Sequence, residues 1–127
     1  MKLVIGGYAQ GKLEYVLSTY QLQADRVWEG VLPKDGECME ETVVVYQLHR
    51  WVRKRILEGG CPEEEIQSFL EGCKDCILIC DEIGSGIVPA EPFERQYRER
   101  TGRILIQLAA RAEEVWRILC GIGQRIK

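Results

Sequence analysis

Apolar and polar positions alternate between two periods along the chain. Short, largely apolar runs, the mark of strands covered on both faces, occur at Lys2-Leu3-Val4-Ile5, Thr42 to Tyr46, Cys76 to Cys80 and Val115 to Cys120, with a further extended segment expected at Ala24 to Trp28. Helical spacing fills the intervals. Leu13, Val16, Leu17 and Tyr20 form one apolar face of a helix ending near Gln23, and Leu48, Trp51, Val52 and Ile56 do the same within Gln47 to Glu58, where Gly59-Gly60 stops the pattern. Pro62 ahead of Glu63, Glu64 and Glu65 marks another start, because proline presets the first-turn φ and carboxylates favour the positive helix end. That helix reaches about Gly72. The longest helix runs from about Pro92 to Ala112, with Phe93, Tyr97, Ile104, Leu108 and Ala112 on one stripe.

Strands that alternate with helices predict right-handed crossovers and an α/β three-layer fold, a mainly parallel five-stranded sheet covered on both faces. Residues 29 to 40, with Gly30, Pro33 and Asp35-Gly36, read as a loop, and neither a repeat nor a linker divides residues 1–127, so one domain is expected. Ligands of such sheets bind outside the carboxyl ends of the strands. Residues 6 to 12 and 81 to 89 both fall at that edge.

Composition narrows the function classes. With 127 residues, 46% hydrophobic and 29% charged, the chain can bury a core and is not of disordered composition. No apolar run approaches the roughly 18 residues that cross a bilayer, and the N-terminus lacks the pattern of a secretory signal, so a cytoplasmic protein with no membrane insertion is expected. A net charge of -3 weighs against a nucleic-acid partner. Residues 57 to 82 hold eight acids against Lys74, whereas residues 91 to 127 hold eight bases against five acids. These runs read as solvated helix faces, with the basic end as an alternative contact for a polyphosphate or a neighbouring subunit. Six cysteines in such a chain read as reduced thiols. Cys73, Cys76 and Cys80 have the spacing of soft metal ligands but no fourth partner, and Cys76 and Cys80 bound an apolar strand, so they are assigned to packing and no metal ligands are assigned.

The chemistry concentrates in Gly6-Gly7-Tyr8-Ala9-Gln10-Gly11-Lys12, which has the Gly-x4-Gly-Lys spacing of a phosphate-binding loop between a strand and a helix. Glycine backbones can turn several N–H groups inward, the helix adds its positive end, and the Lys12 ammonium reaches terminal phosphates. The fold expected is therefore a P-loop NTPase-like one, and residues 6 to 13 form the nucleotide-binding set. Leu13 stands where such loops carry Ser or Thr for Mg2+ and has no oxygen to offer. Asp81 and Glu82 end a strand at the same edge and can assist a metal or orient a substrate hydroxyl; capping a loop or pairing with arginines of the long helix is the plain alternative. His49, the only histidine, has no carboxylate partner at helical spacing and lies beside Arg50, Arg53, Lys54 and Arg55. It reads as a surface or helix-packing residue, with a base or nucleophile toward a nucleotide as the alternative, and the basic quartet reads as the wet side of its helix, with contact to phosphate from a neighbouring subunit as the alternative.

Together with the loop of residues 6 to 12, the segment Glu82-Ile83-Gly84-Ser85-Gly86-Ile87-Val88-Pro89, the stretch Arg98 to Ala112 and the ending Val115-Trp116 through Gly121-Ile122-Gly123-Gln124-Arg125-Ile126-Lys127 resemble the bifunctional adenosylcobinamide kinase/adenosylcobinamide-phosphate guanylyltransferase family. The resemblance implies a cytoplasmic, homo-oligomeric enzyme of cobalamin biosynthesis that uses ATP or GTP, phosphorylates adenosylcobinamide and transfers GMP through a guanylylated histidine. If the chain is a kinase, the catalytic set read from its own residues is Lys12, which positions the triphosphate, with Asp81 or Glu82 assisting the metal or the attacking hydroxyl. This chain departs from the pattern in three ways: Leu13 replaces the serine, residues 29 to 40 are abbreviated and hold no histidine, and Tyr46 stands where the third strand ends in an acid. These departures leave phosphoryl transfer open, weigh against guanylyl transfer and against Mg2+, and keep a noncatalytic nucleotide- or partner-binding protein as the alternative.

Overall fold

A computed structural model describes residues 1–38, 41–84 and 86–127. Its elements are β1 (Lys2–Gly6), α1 (Lys12–Thr19), β2 (Val27–Glu29), β3 (Val43–Tyr46), α2 (Leu48–Leu57), α3 (Pro62–Gly72), β4 (Cys76–Asp81), α4 (Pro92–Arg111), β5 (Glu114–Leu119) and β6 (Ile122–Arg125). The sheet order is β2-β3-β4-β1-β5-β6. Every neighbouring pair is parallel except β5 with β6. β1 is central, its Gly6 level with Asp81 of β4 and Ile118 of β5.

Successive strand side chains point to opposite faces, and this splits the core into two layers. Leu3, Val43, Val45, Leu78 and Val115 pack with α2, α3 and α4 on one face. Val4, Val44, Ile77, Ile79 and Ile118 pack against Val16 of α1 on the other. The expected stripe on α4 is realised: Tyr97, Ile104 and Leu108 are buried, joined by Thr101. Cys73, Cys76 and Cys80 are buried too, and desolvation pushes the Cys76 and Cys80 thiols up to about 11 and about 12. They behave as small apolar groups, as their sequence context implied.

The sheet has six strands rather than five. Cys120 and Gly121 both take positive φ, 52° and 75°, the two-residue turn whose twist suits a tight hairpin, so the chain folds back and Ile122–Arg125 pairs with β5. The first helix also stops earlier than its apolar spacing suggests. Gln21 adopts φ 52° and the Leu22 N–H reaches the Leu17 carbonyl at 3.0 Å, a Schellman-type ending made without glycine. Residues Ala24–Arg26 then form a 3-10 turn, and only Val27–Glu29 is strand.

The acidic and basic runs meet each other rather than facing only water. Arg100 of α4 holds Glu63 of α3 through two bonds of 2.6 and 2.8 Å, which keeps the Glu63 carboxyl down at about 2, and Arg111 donates to Gln67 at 2.8 Å. Among the described residues, no helix is long and apolar enough to cross a membrane.

Candidate functional site

The site grows from the junction of β1 and α1. A Cβ on Gly6 would lie 2.6 Å from the Ile118 carbonyl oxygen, so only glycine lets β1 run this close to β5 at its end. Gly11 caps α1 at φ 85°, a left-handed conformation that side chains resist. Between them Ala9 also has positive φ, 54°, and Tyr8 is exposed. The loop is tied to the β5–β6 hairpin: the Gln10 carbonyl accepts from Gly121 N–H at 2.8 Å, and its Oε1 accepts from Cys120 N–H at 2.7 Å. Leu13 packs onto the apolar layer beneath α1.

Lys12 opens α1 and turns inward, only 5% exposed. Its ammonium donates to the Gly7 carbonyl at 2.6 Å and lies 2.7 Å from Asp81 Oδ1 at the end of β4. Asp81 is held from its other side by His49. The Asp81 backbone N–H donates to His49 Nδ1 at 3.2 Å, and His49 Nε2 lies 3.5 Å from Asp81 Oδ2. Tyr97 of α4 donates its hydroxyl to the His49 carbonyl at 3.0 Å, fixing the first turn of α2. Burial pushes the His49 pKa below its ordinary 6.5; the Asp81 carboxylate pulls it up, and Arg50 and Lys12 push it down. The imidazole is therefore neutral at pH 7, and both of its nitrogens face Asp81.

Lys12, Asp81 and His49 thus form one chain of contacts at the carboxyl edge. Sequence spacing brought the first two to this edge but missed the histidine, whose carboxylate partner lies on another element. Glu82 points elsewhere: Arg117 of β5 holds it with Nε–Oε1 at 3.0 Å and Nη2–Oε2 at 3.2 Å, and its N–H donates to the Gly6 carbonyl at 2.9 Å. Neither carboxylate pairs with an arginine of α4. The glycine-bearing loop after β4 is instead pinned by α4 through its backbone, with Arg98 donating to the carbonyls of Gly84, Gly86 and Ile87; Ser85 lies outside the described residues.

A cleft of about 380 Å3 opens beside this chain of contacts. Residues 8 to 12 form part of its lining; Tyr46, Gln47, Arg50 and Asp81 form another part, and the exposed Glu14 and Glu29 complete it. Tyr46 ends β3, and burial together with Glu14, Asp81 and Glu29 raises its pKa above 10, so it remains a neutral phenol. The positions that hold Mg2+ in a phosphate loop do not fit it here, and the remaining cleft carboxylates, Glu14 and Glu29, are exposed. Leu13 offers no oxygen, Tyr46 offers no carboxylate, Asp81 is engaged with Lys12, and no group of three or more His, Cys, Asp or Glu suited to a metal occurs among the described residues.

The fold and site define an α/β protein with a buried lysine leading the helix that follows its central parallel strand, beside a polar cleft at the carboxyl edge. The model of the cobinamide kinase / cobinamide phosphate guanyltransferase family matches residues 19–126, and the chain belongs to that family. The match begins after the lysine loop. The chain is 45% identical over 67 residues to the bifunctional adenosylcobalamin biosynthesis protein CobU of Escherichia coli and 41% identical over 69 residues to its namesake from Salmonella typhimurium. Those segments take in 50% and 51% of this chain but only 37% and 38% of the relatives, so the chain spans well under two thirds of their length.

Proposed function

We propose that this chain is a nucleotide-binding member of its family, holding the phosphates of ATP or GTP in a P-loop formed by residues 6 to 13. The observation that carries the reading is the Lys12 ammonium, buried at the carboxyl edge at the start of α1, with residues 8 to 12 lining the cleft and Ala9 and Gly11 in left-handed conformations. Adenosylcobinamide is the acceptor that family membership suggests, and phosphoryl transfer to its hydroxyl is the activity to assay. Guanylyl transfer through His49 is disfavoured, because both imidazole nitrogens face Asp81 and the ring is mostly buried.

A second reading, a noncatalytic binder, is supported by the misfit toward Mg2+. Phosphoryl transfer normally draws on a cation to neutralise charge as it moves to the leaving group. Calorimetric titration with ATP and with GTP tests binding, and incubation with adenosylcobinamide plus either nucleotide tests transfer. Absence of heat from both nucleotides would remove the loop assignment. Binding without a phosphorylated product would leave the noncatalytic binder.

A further inference from the structure

Helix α2 carries the four basic residues that read from sequence as its wet side, and the fold separates them. Arg53 Nη1 lies 2.6 Å from Glu94 Oε1, with its guanidinium over the Phe93 and Tyr97 rings at 5.0 and 5.3 Å. Arg55 binds Glu65 through Nε at 2.9 Å. Lys54 is exposed and outside the cleft. Arg50 has no ion pair or side-chain hydrogen bond among the described residues, and it lines the same cleft as Lys12.

That cleft lacks the ordinary means of neutralising a triphosphate. The hydroxyl that would ligate a cation is replaced by Leu13, the strand-end carboxylate by the neutral phenol of Tyr46, and Asp81 is committed to Lys12. A guanidinium can supply the missing charge. It stays protonated, is weakly hydrated, and presents paired N–H groups that match two phosphate oxygens. Arg50 and Lys12 face three carboxylates in the cleft, Asp81, Glu14 and Glu29, of which the last two are exposed and screened by water. Without Arg50 a bound polyanion would meet Lys12 alone against all three.

Resting on the nucleotide-binding reading above, we propose that Arg50 is a phosphate-binding residue whose guanidinium takes the place of a divalent cation, so that this chain binds a nucleoside triphosphate without metal. The test is calorimetric titration of the full chain with ATP, in EDTA and in excess Mg2+, for the unmodified protein, Arg50→Ala, Arg50→Lys and Lys54→Ala, with circular dichroism to verify folding. Expected are affinities of the unmodified protein agreeing within about twofold between the two buffers, and a loss of roughly tenfold or more for Arg50→Ala in EDTA, the size of one charge-assisted contact. Arg50→Lys should recover part of that loss, and Lys54→Ala should bind like the unmodified chain. Binding at least about fivefold tighter in Mg2+, or an Arg50→Ala variant as tight as the unmodified protein in EDTA, overturns the inference and leaves the loop reading standing. A Lys54→Ala loss equal to that of Arg50→Ala overturns it as well, since general charge would then be responsible. No heat from the unmodified chain in either buffer overturns both.

Discussion

Replacing Lys12 by methionine keeps most of the side chain's volume and removes its charge. The ammonium sits 2.7 Å from Asp81 and 2.6 Å from the Gly7 carbonyl, with the two side chains 5% and 15% exposed. Removing one partner of a buried pair leaves the other charge without compensation, at a cost of about 3–5 kcal/mol. Asp81 retains some solvent access and its contact with His49, which puts Lys12→Met near the lower end, about 3 kcal/mol. For a chain of this size that corresponds to a fall of roughly 10 °C in Tm. Asp81→Asn should cost less, about 1–2 kcal/mol, because the amide still accepts from the ammonium. The double variant Lys12→Met/Asp81→Asn should be more stable than the sum of the single losses implies, by about 1–3 kcal/mol. Urea unfolding followed by circular dichroism provides all four corners of the cycle. Additivity within about 0.5 kcal/mol, or a Lys12→Met cost below about 1 kcal/mol, would refute the claim that the pair is buried and coupled. The same set carries a binding arm: Asp81→Asn should bind ATP more tightly in EDTA, because a carboxylate no longer competes with phosphate for Lys12.

Three further perturbations test other parts of the molecule. Glu63 is held at about 2 by Arg100, so its stabilisation is complete above its ordinary 4.5 and is lost as pH falls from there through about 2; Arg100→Ala should flatten that acid limb by about 1 kcal/mol, a screened value for a partly exposed pair, as measured by urea midpoints from pH 2 to 6. Because the folded state depresses the His49 pKa, the unfolded chain binds the proton more readily below 6.5, and stability should decline as pH drops below that value; imidazole titration by NMR at or above 6.5 would contradict this sign. Cys120→Asn should gain about 0.5 kcal/mol in urea unfolding, since asparagine tolerates the positive φ of the hairpin turn and the backbone bond to Gln10 is unaffected, whereas a loss would show that the thiol side chain matters there.

The parts of the molecule legible beforehand are those governed by local periodicity. Leu13 and Val16 on α1, the apolar runs of β3 and β4, and Pro62 at the start of α3 carry their conformations in adjacent residues, and the structure follows them. The sixth strand was missed because its turn, Cys120-Gly121, lacks the usual asparagine, and Ile122–Arg125 is short and largely exposed. The early end of α1 was missed for a related reason: a glutamine adopts the left-handed cap. At the site, the glycine and lysine spacing indicated residues 6 to 12 correctly as a strand-to-helix loop at the carboxyl edge. It did not indicate what Lys12 touches.

Sequence alone determined the alternation of strand and helix, the two-faced core and the family, because each is written in spacing between neighbours or in shared local segments. Tertiary structure decided the rest of the site. His49 meets Asp81 across 32 residues, Lys12 at the start of α1 is neutralised by a carboxylate at the end of β4, and Arg50 alone among the basic residues of α2 lines the cleft. Such contacts depend on how strands are ordered in the sheet, and strand order is fixed by long-range packing that no short stretch of chain encodes.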